Sequence, residues 1–251
     1  MTTTRRMRRR SLSRCGSPQS CGLPPIEEYK HDYPKEHGAV MERQMTAKEV
    51  LMKYIIKNKL LWYLAIANIF VYFIRYGVVD WAPTYLAEVK GYSHKGSRLA
   101  YFLYEWAGIP GMLVSGYLSD KVFKGRRAPA TILFMFGVLI AVLVYWKNPA
   151  GNPLIDNIAL VSIGFLIYGP VMMIGLHAAD LVPKKATGSA TGLTGLLGYL
   201  IGSSFAGVVM GAVVDHLGWD GGFYTLIIAC ILAIALLFMS MMGGKPSHQT
   251  H

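Results

Sequence analysis

Acidic residues are scarce in this 251-residue chain, with 14 Asp and Glu against 25 Lys and Arg, and charged residues of every kind make up only 16%. A soluble domain carries charge over its whole surface, whereas these charges crowd into short segments separated by long uncharged runs. Cysteine is rarer still, at three. Cys15 and Cys21 have no second ligand pair nearby and Cys230 lies in an apolar run, so neither a zinc site nor a disulfide framework is expected. The sequence has no phosphate-cradling P-loop, no metal-ligand spacing and no nucleophile elbow, so no enzyme, cofactor or metal centre is expected. Residues 1–14 are basic but no apolar segment follows them, which excludes a secretory signal. The net charge of +11 does not imply a nucleic-acid partner, because the basic residues sit at the ends of apolar runs and in the first 59 residues.

What is abundant is apolar surface: 53% of residues are hydrophobic. A bilayer core of about 30 Å needs about 20 apolar residues per helix. Six runs meet that need, at 60–84, 99–118, 128–146, 157–179, 189–213 and 222–242. In lipid the backbone must satisfy its own hydrogen bonds, so the runs are expected to be helices, and strand-like alternation is missing. The expected fold is an all-α membrane protein with six transmembrane helices over 60–242 and the lipid bilayer as its partner. Ahead of it, 1–43 is polar, basic and rich in Pro and Gly, and is expected to be a disordered cytoplasmic segment. Thr46 and Glu49 form a capping box, and Val50, Leu51, Tyr54 and Ile55 oppose Lys48, Lys53 and Lys57, which predicts an amphipathic interfacial helix at 44–59. Residues 243–251 form the tail. Lys121, Lys124, Arg126 and Arg127 between spans two and three, Lys184 and Lys185 between four and five, and the basic first segment place both termini in the cytoplasm by the positive-inside rule.

A weak internal repeat accompanies this topology. GYLSD at 116–120 closes the second span and GAVVD at 211–215 closes the fifth, on opposite sides of the membrane. Two three-helix units of inverted topology produce such a pattern.

Arg75 is the most informative residue. A charge central in a span costs roughly 3 kcal/mol against roughly 0.5 gained per Leu. Asn68, Tyr72, Arg75 and Val79 share one helical face, and a guanidinium there offers planar bidentate donors to a phosphate or carboxylate. The alternative is an arginine that snorkels or pairs structurally. Glu105 falls at a similar depth on the next, antiparallel span and is its natural counter-ion, either as a permanent pair or as one that opens when an anion competes. Asp80, nearer the outer surface, is assigned a local or gating role. Tyr72, Tyr168 and Tyr199 place hydroxyls inside spans. His177 reads as a packing residue and Asp180 as a helix end. The glycines of span five read as dense helix packing.

GYLSDKVFKGRR at 116–127 resembles the G-x-x-x-D-x-x-x-x-R-R signature of the major facilitator superfamily with one residue more before the arginines, carried here by Gly116, Asp120, Arg126 and Arg127. VYFIRYGVVDW at 71–81, YFLYEWAGIPG at 101–111, GFLIYGPVM at 164–172 and PQSCGLPPIEEY at 18–29 are similar to its organophosphate:phosphate antiporter family, over roughly residue 18 to the end. The resemblance implies one half of a major-facilitator fold, built as a 3+3 inverted repeat in a bacterial inner membrane. It implies exchange of inorganic phosphate for an organophosphate, glycerol 3-phosphate, by rocking of two halves. Arg75 would bind the anion together with an arginine of the other half, Glu105 would pair nearby, and Tyr72, Tyr168 and Tyr199 would line the cavity. The chain carries only the last six helices of such a protein, so a six-helix first half is an implied partner. A non-transporting membrane protein, a sensor-like relative or an assembly partner is the alternative. Residues 1–17 resemble nothing in the family and fit out-of-frame sequence ahead of a truncated frame.

Overall fold

The computed structural model describes residues 51–243, and within them all side chains but those at 94, 95 and 97. The segment expected at 1–43, the start of that at 44–59 and all but the first residue of the tail lie outside the described residues. Among the described residues every regular element is helical. A short π-type turn, α1 (Leu51–Ile56), precedes α2 (Lys59–Glu88), α3 (His94–Tyr117), α4 (Arg127–Lys147), α5 (Pro153–Asp180), α6 (Thr187–Leu197) and α7 (Ser204–Gly243). π turns extend α3 over Leu118–Val122 and join α6 to α7 over Gly198–Ser203.

Local chemistry sets the ends. The Asn58 side chain accepts from the Leu61 N–H at 3.3 Å and caps α2, so α1 and α2 separate near the expected boundary at 59/60. Ser93 caps α3 in the same way, accepting from Gly96 N–H at 3.3 Å. Pro153 opens α5, where its missing N–H costs nothing. α2 runs on through Pro83 to Glu88, beyond the expected end at residue 84. In α7, Gly218 has φ 71° and ψ −177°, a backbone state that breaks the helix between the fifth and sixth expected spans.

Four helical stretches are long and apolar enough to cross a membrane: Lys59–Glu88, Arg127–Lys147, Pro153–Asp180 and Lys184–Gly243. The last has 60 residues, about 90 Å at 1.5 Å per residue, and holds both the fifth and the sixth expected spans around Gly218. The second expected span, 99–118, corresponds to α3. That helix has the length but not sustained apolarity, since Arg98 and Glu105 interrupt it.

The helices pack as two interleaved sets. α2 lies against α7 and the α6–α7 π turn, α3 against α5, and α4 against α5 and α7. Leu61, Leu64, Ile74, Met135, Ile163, Met173, Ile174 and Leu237 are fully buried along these seams. α3 and α5 touch backbone to backbone: a methyl on Gly111 would strike the Phe165 carbonyl, and one on Gly164 the Tyr104 carbonyl.

Candidate functional site

Arg75, Glu105 and Tyr168 meet where α2, α3 and α5 converge. Arg75 Nη2 donates to the Tyr168 hydroxyl at 2.6 Å and lies 3.8 Å from Glu105 Oε2. The Tyr168 hydroxyl in turn donates to Glu105, so it stands between cation and carboxylate. The side chains of Arg75 and Glu105 are 13% and 32% exposed, so the pair is neither sealed nor freely solvated. Gly108 makes room for this arrangement, because a methyl there would lie 2.5 Å from the Tyr168 ring.

The guanidinium is enclosed by aromatic faces, 4.5 Å from the Tyr168 ring centroid and 4.9 Å from that of Tyr76. Such faces attract a cation without neutralising it. Among the described residues Arg75 Nε has no hydrogen-bond partner although it is buried. The Tyr104 hydroxyl donates to the Arg75 carbonyl at 3.3 Å and fixes the backbone below the charge. The arrangement leaves a planar donor partly satisfied and held against a carboxylate through a single hydroxyl.

The remaining candidates divide. Tyr72 is buried and sits edge-on to Tyr199, with ring centroids 4.6 Å apart, while Tyr199 itself is exposed. Tyr76 joins the two groups, 6.1 Å from Tyr72 and 6.4 Å from Tyr199. Asp80 is exposed and lies outside this bonded cluster. In the loop motif, Arg127 Nη1 donates to Asp120 at 2.6 Å and to Ser119 at 3.1 Å, and Nε donates to Asp180 at 3.3 Å. Arg126 is exposed and Gly116 half-buried, and neither enters these bonds. Asp180, read from sequence as a plain helix end, is therefore a partner of Arg127. Tyr76 and Tyr104 were also passed over, and their only signal was adjacency to Arg75 and Glu105.

These features define a class first: a helical membrane-spanning protein with a polar, cation-centred site between its helices. Residues 23–207 match the Major Facilitator Superfamily, and the chain belongs to that family. It is 65% identical over 229 residues to the glycerol-3-phosphate transporter of Bacillus subtilis, covering 91% of this chain and 52% of that protein. It is 51% identical over 234 residues to the glycerol-3-phosphate transporter of Haemophilus influenzae, covering 87% of this chain and 49% of that one. A probable hexose phosphate transport protein of Chlamydia pneumoniae is 42% identical over 233 residues, covering 89% and 51%. The chain spans about half the length of the curated relatives it matches.

Proposed function

We propose that this chain is the C-terminal, six-span half of an organophosphate:phosphate antiporter of the bacterial inner membrane, exchanging glycerol 3-phosphate for inorganic phosphate. Its unit of membrane structure is 60–242, preceded by an interfacial helix, with both termini in the cytoplasm. Arg75 captures the phosphoryl group, and Glu105, through Tyr168, holds the guanidinium when no anion is bound and is displaced when one arrives. Tyr72 and Tyr199 line the path, Asp80 gates its outer side, and Gly116, Asp120, Arg126 and Arg127 form the inner loop that the two halves rock upon. The observation that carries this reading is the Arg75–Tyr168–Glu105 arrangement, where one hydroxyl separates a cation from its competitor. The identity to two glycerol-3-phosphate transporters supports the substrate class.

A full exchange site needs a second six-helix half. The test is counterflow of labelled phosphate against glycerol 3-phosphate in vesicles carrying this chain alone, and then together with the first half of the Bacillus subtilis relative. Exchange is expected only with both halves, and is expected to vanish with Arg75→Lys, since lysine cannot make the bidentate contact. Exchange by both-half vesicles that survives Arg75→Lys would refute the site. No exchange in either case would favour the alternative, a non-transporting membrane protein such as a sensor-like relative or an assembly partner.

A further inference from the structure

Asn68 lies one turn below Tyr72 and two below Arg75 on the same face of α2, and it is 3% exposed. Its Nδ2 donates at 2.8 Å to the Thr194 carbonyl, on α6, across 126 residues of sequence. A buried amide bonded to a helix carbonyl fixes the depth and the rotation of that helix, because the donor reaches only one oxygen. The bond falls one turn ahead of the Gly198–Ser203 π turn. A π turn holds one residue more than the surrounding α-helix and so re-aims the side chains that follow.

Two glycines make the contact possible. A methyl on Gly198 would come within 2.6 Å of Asn68 Nδ2 and 2.9 Å of the Tyr72 ring. A methyl on Gly202 would come within 2.5 Å of the Ile69 carbonyl and 2.8 Å of Tyr72 Cβ. The π turn therefore packs closely against α2 at Asn68, Ile69 and Tyr72, and the residue it carries toward the tyrosine cluster is Tyr199.

We propose that Asn68 is a positioning residue: by holding the Thr194 carbonyl it sets the π turn so that Tyr199 stands against Tyr72 and reaches the Arg75 site. Among the described residues Asn68 has no hydrogen bond to Arg75 or Tyr199, and it acts through the register of α6. This rests on the anion-site reading above only for its effect on binding. The geometric claim stands apart from it.

The experiment uses the full 251-residue chain in lipid nanodiscs with Cys15→Ser, Cys21→Ser and Tyr199→Cys. A water-soluble maleimide is applied and labelling is read peptide by peptide in a mass spectrometer. Native Cys230, fully buried in α7, reports loosening of the whole bundle. Asn68→Leu keeps the branched heavy-atom shape and removes the bond, so labelling at position 199 is expected to change by roughly fivefold or more while Cys230 stays silent. Gly198→Ala presses on the same contact from the π turn and is expected to reproduce the shift, which keeps the test decisive if the leucine variant folds poorly. An unchanged rate at position 199 in both variants, or labelling of Cys230 along with it in both, would overturn the proposal. In chains that retain Tyr199, Asn68→Leu is expected to weaken phosphate binding about tenfold. In a Tyr199→Ala background the same change is expected to have little further effect, because the two residues act in series. An additive loss would count against action through Tyr199. Arg75→Ala serves as the separate arm: phosphate affinity that survives it sinks the anion-site reading and leaves the labelling result to decide the role of Asn68.

Discussion

Lys90 and Asp156 form an ion pair 3.3 Å apart whose side chains are only 2% and 0% exposed, beside the loop that joins α2 to α3. Lys90 also donates to the Asn148 carbonyl, Asn148 Nδ2 donates to Asp156 Oδ1 at 2.9 Å, and the Tyr92 hydroxyl donates to Oδ2 at 3.3 Å. Burial and the neighbouring carboxylate push the Tyr92 phenol up to about 12, so it remains a donor across the physiological range. The cluster pins the end of α2, the end of α4 and the start of α5 to one another. In a 3+3 inverted repeat the α4–α5 junction is where the first triple of helices hands over to the second.

A pair this deeply buried is worth more as a fixed register than as net stabilisation, because desolvating both ions offsets their attraction. Lys90→Met alone strands a buried carboxylate and is expected to cost about 3–5 kcal/mol. Lys90→Met combined with Asp156→Leu removes both charges and is expected to recover most of that loss. Denaturant unfolding of the two variants in the same detergent checks this. A double variant as unstable as the single one would show that the charges themselves hold the bundle.

The seam between α3 and α5 gives a prediction with an internal control. Gly164 faces the Tyr104 carbonyl so closely that a methyl cannot enter without separating the helices, whereas nothing lies within 4 Å of the position a methyl would take on Gly175 in the same helix. Gly164→Ala is expected to destabilise the fold by about 3 kcal/mol through overpacking. Gly175→Ala is expected to be neutral or to gain up to about 1 kcal/mol from helix propensity. Thermal unfolding of both variants separates a steric requirement from a general intolerance of alanine in α5.

The helices were legible because long, mostly apolar runs with few internal charges leave no other backbone arrangement in lipid. Arg75 was legible because a central charge is too costly to be incidental. Other features were hidden for particular physical reasons. The Arg127–Asp180 contact joins residues 53 apart in sequence, and no local pattern encodes which of two adjacent arginines turns toward it. Tyr168 could be singled out as a hydroxyl in a span, but its place between Arg75 and Glu105 depends on how closely α3 approaches α5, which the glycines decide.

On the proposed anion-site reading, that place predicts effects of opposite sign on anion affinity for Tyr168 and Glu105. Tyr168→Phe removes the acceptor for Arg75 Nη2 and the donor to Glu105 together, leaving cation and carboxylate 3.8 Å apart with nothing between them. The two then draw together. At that range a partly buried pair attracts by up to about 4 kcal/mol before desolvation is counted, and an incoming phosphate must compete with that contact. Phosphate affinity is expected to fall about tenfold, which is about 1.4 kcal/mol. Glu105→Gln instead removes the competing charge while keeping an oxygen that can accept from Tyr168, so affinity is expected to rise by a similar factor. Titration of both variants with phosphate in nanodiscs checks the pair of signs. If both substitutions weaken binding, Glu105 contacts the anion's surroundings as a structural anchor rather than competing for Arg75. If neither does, the anion is held elsewhere.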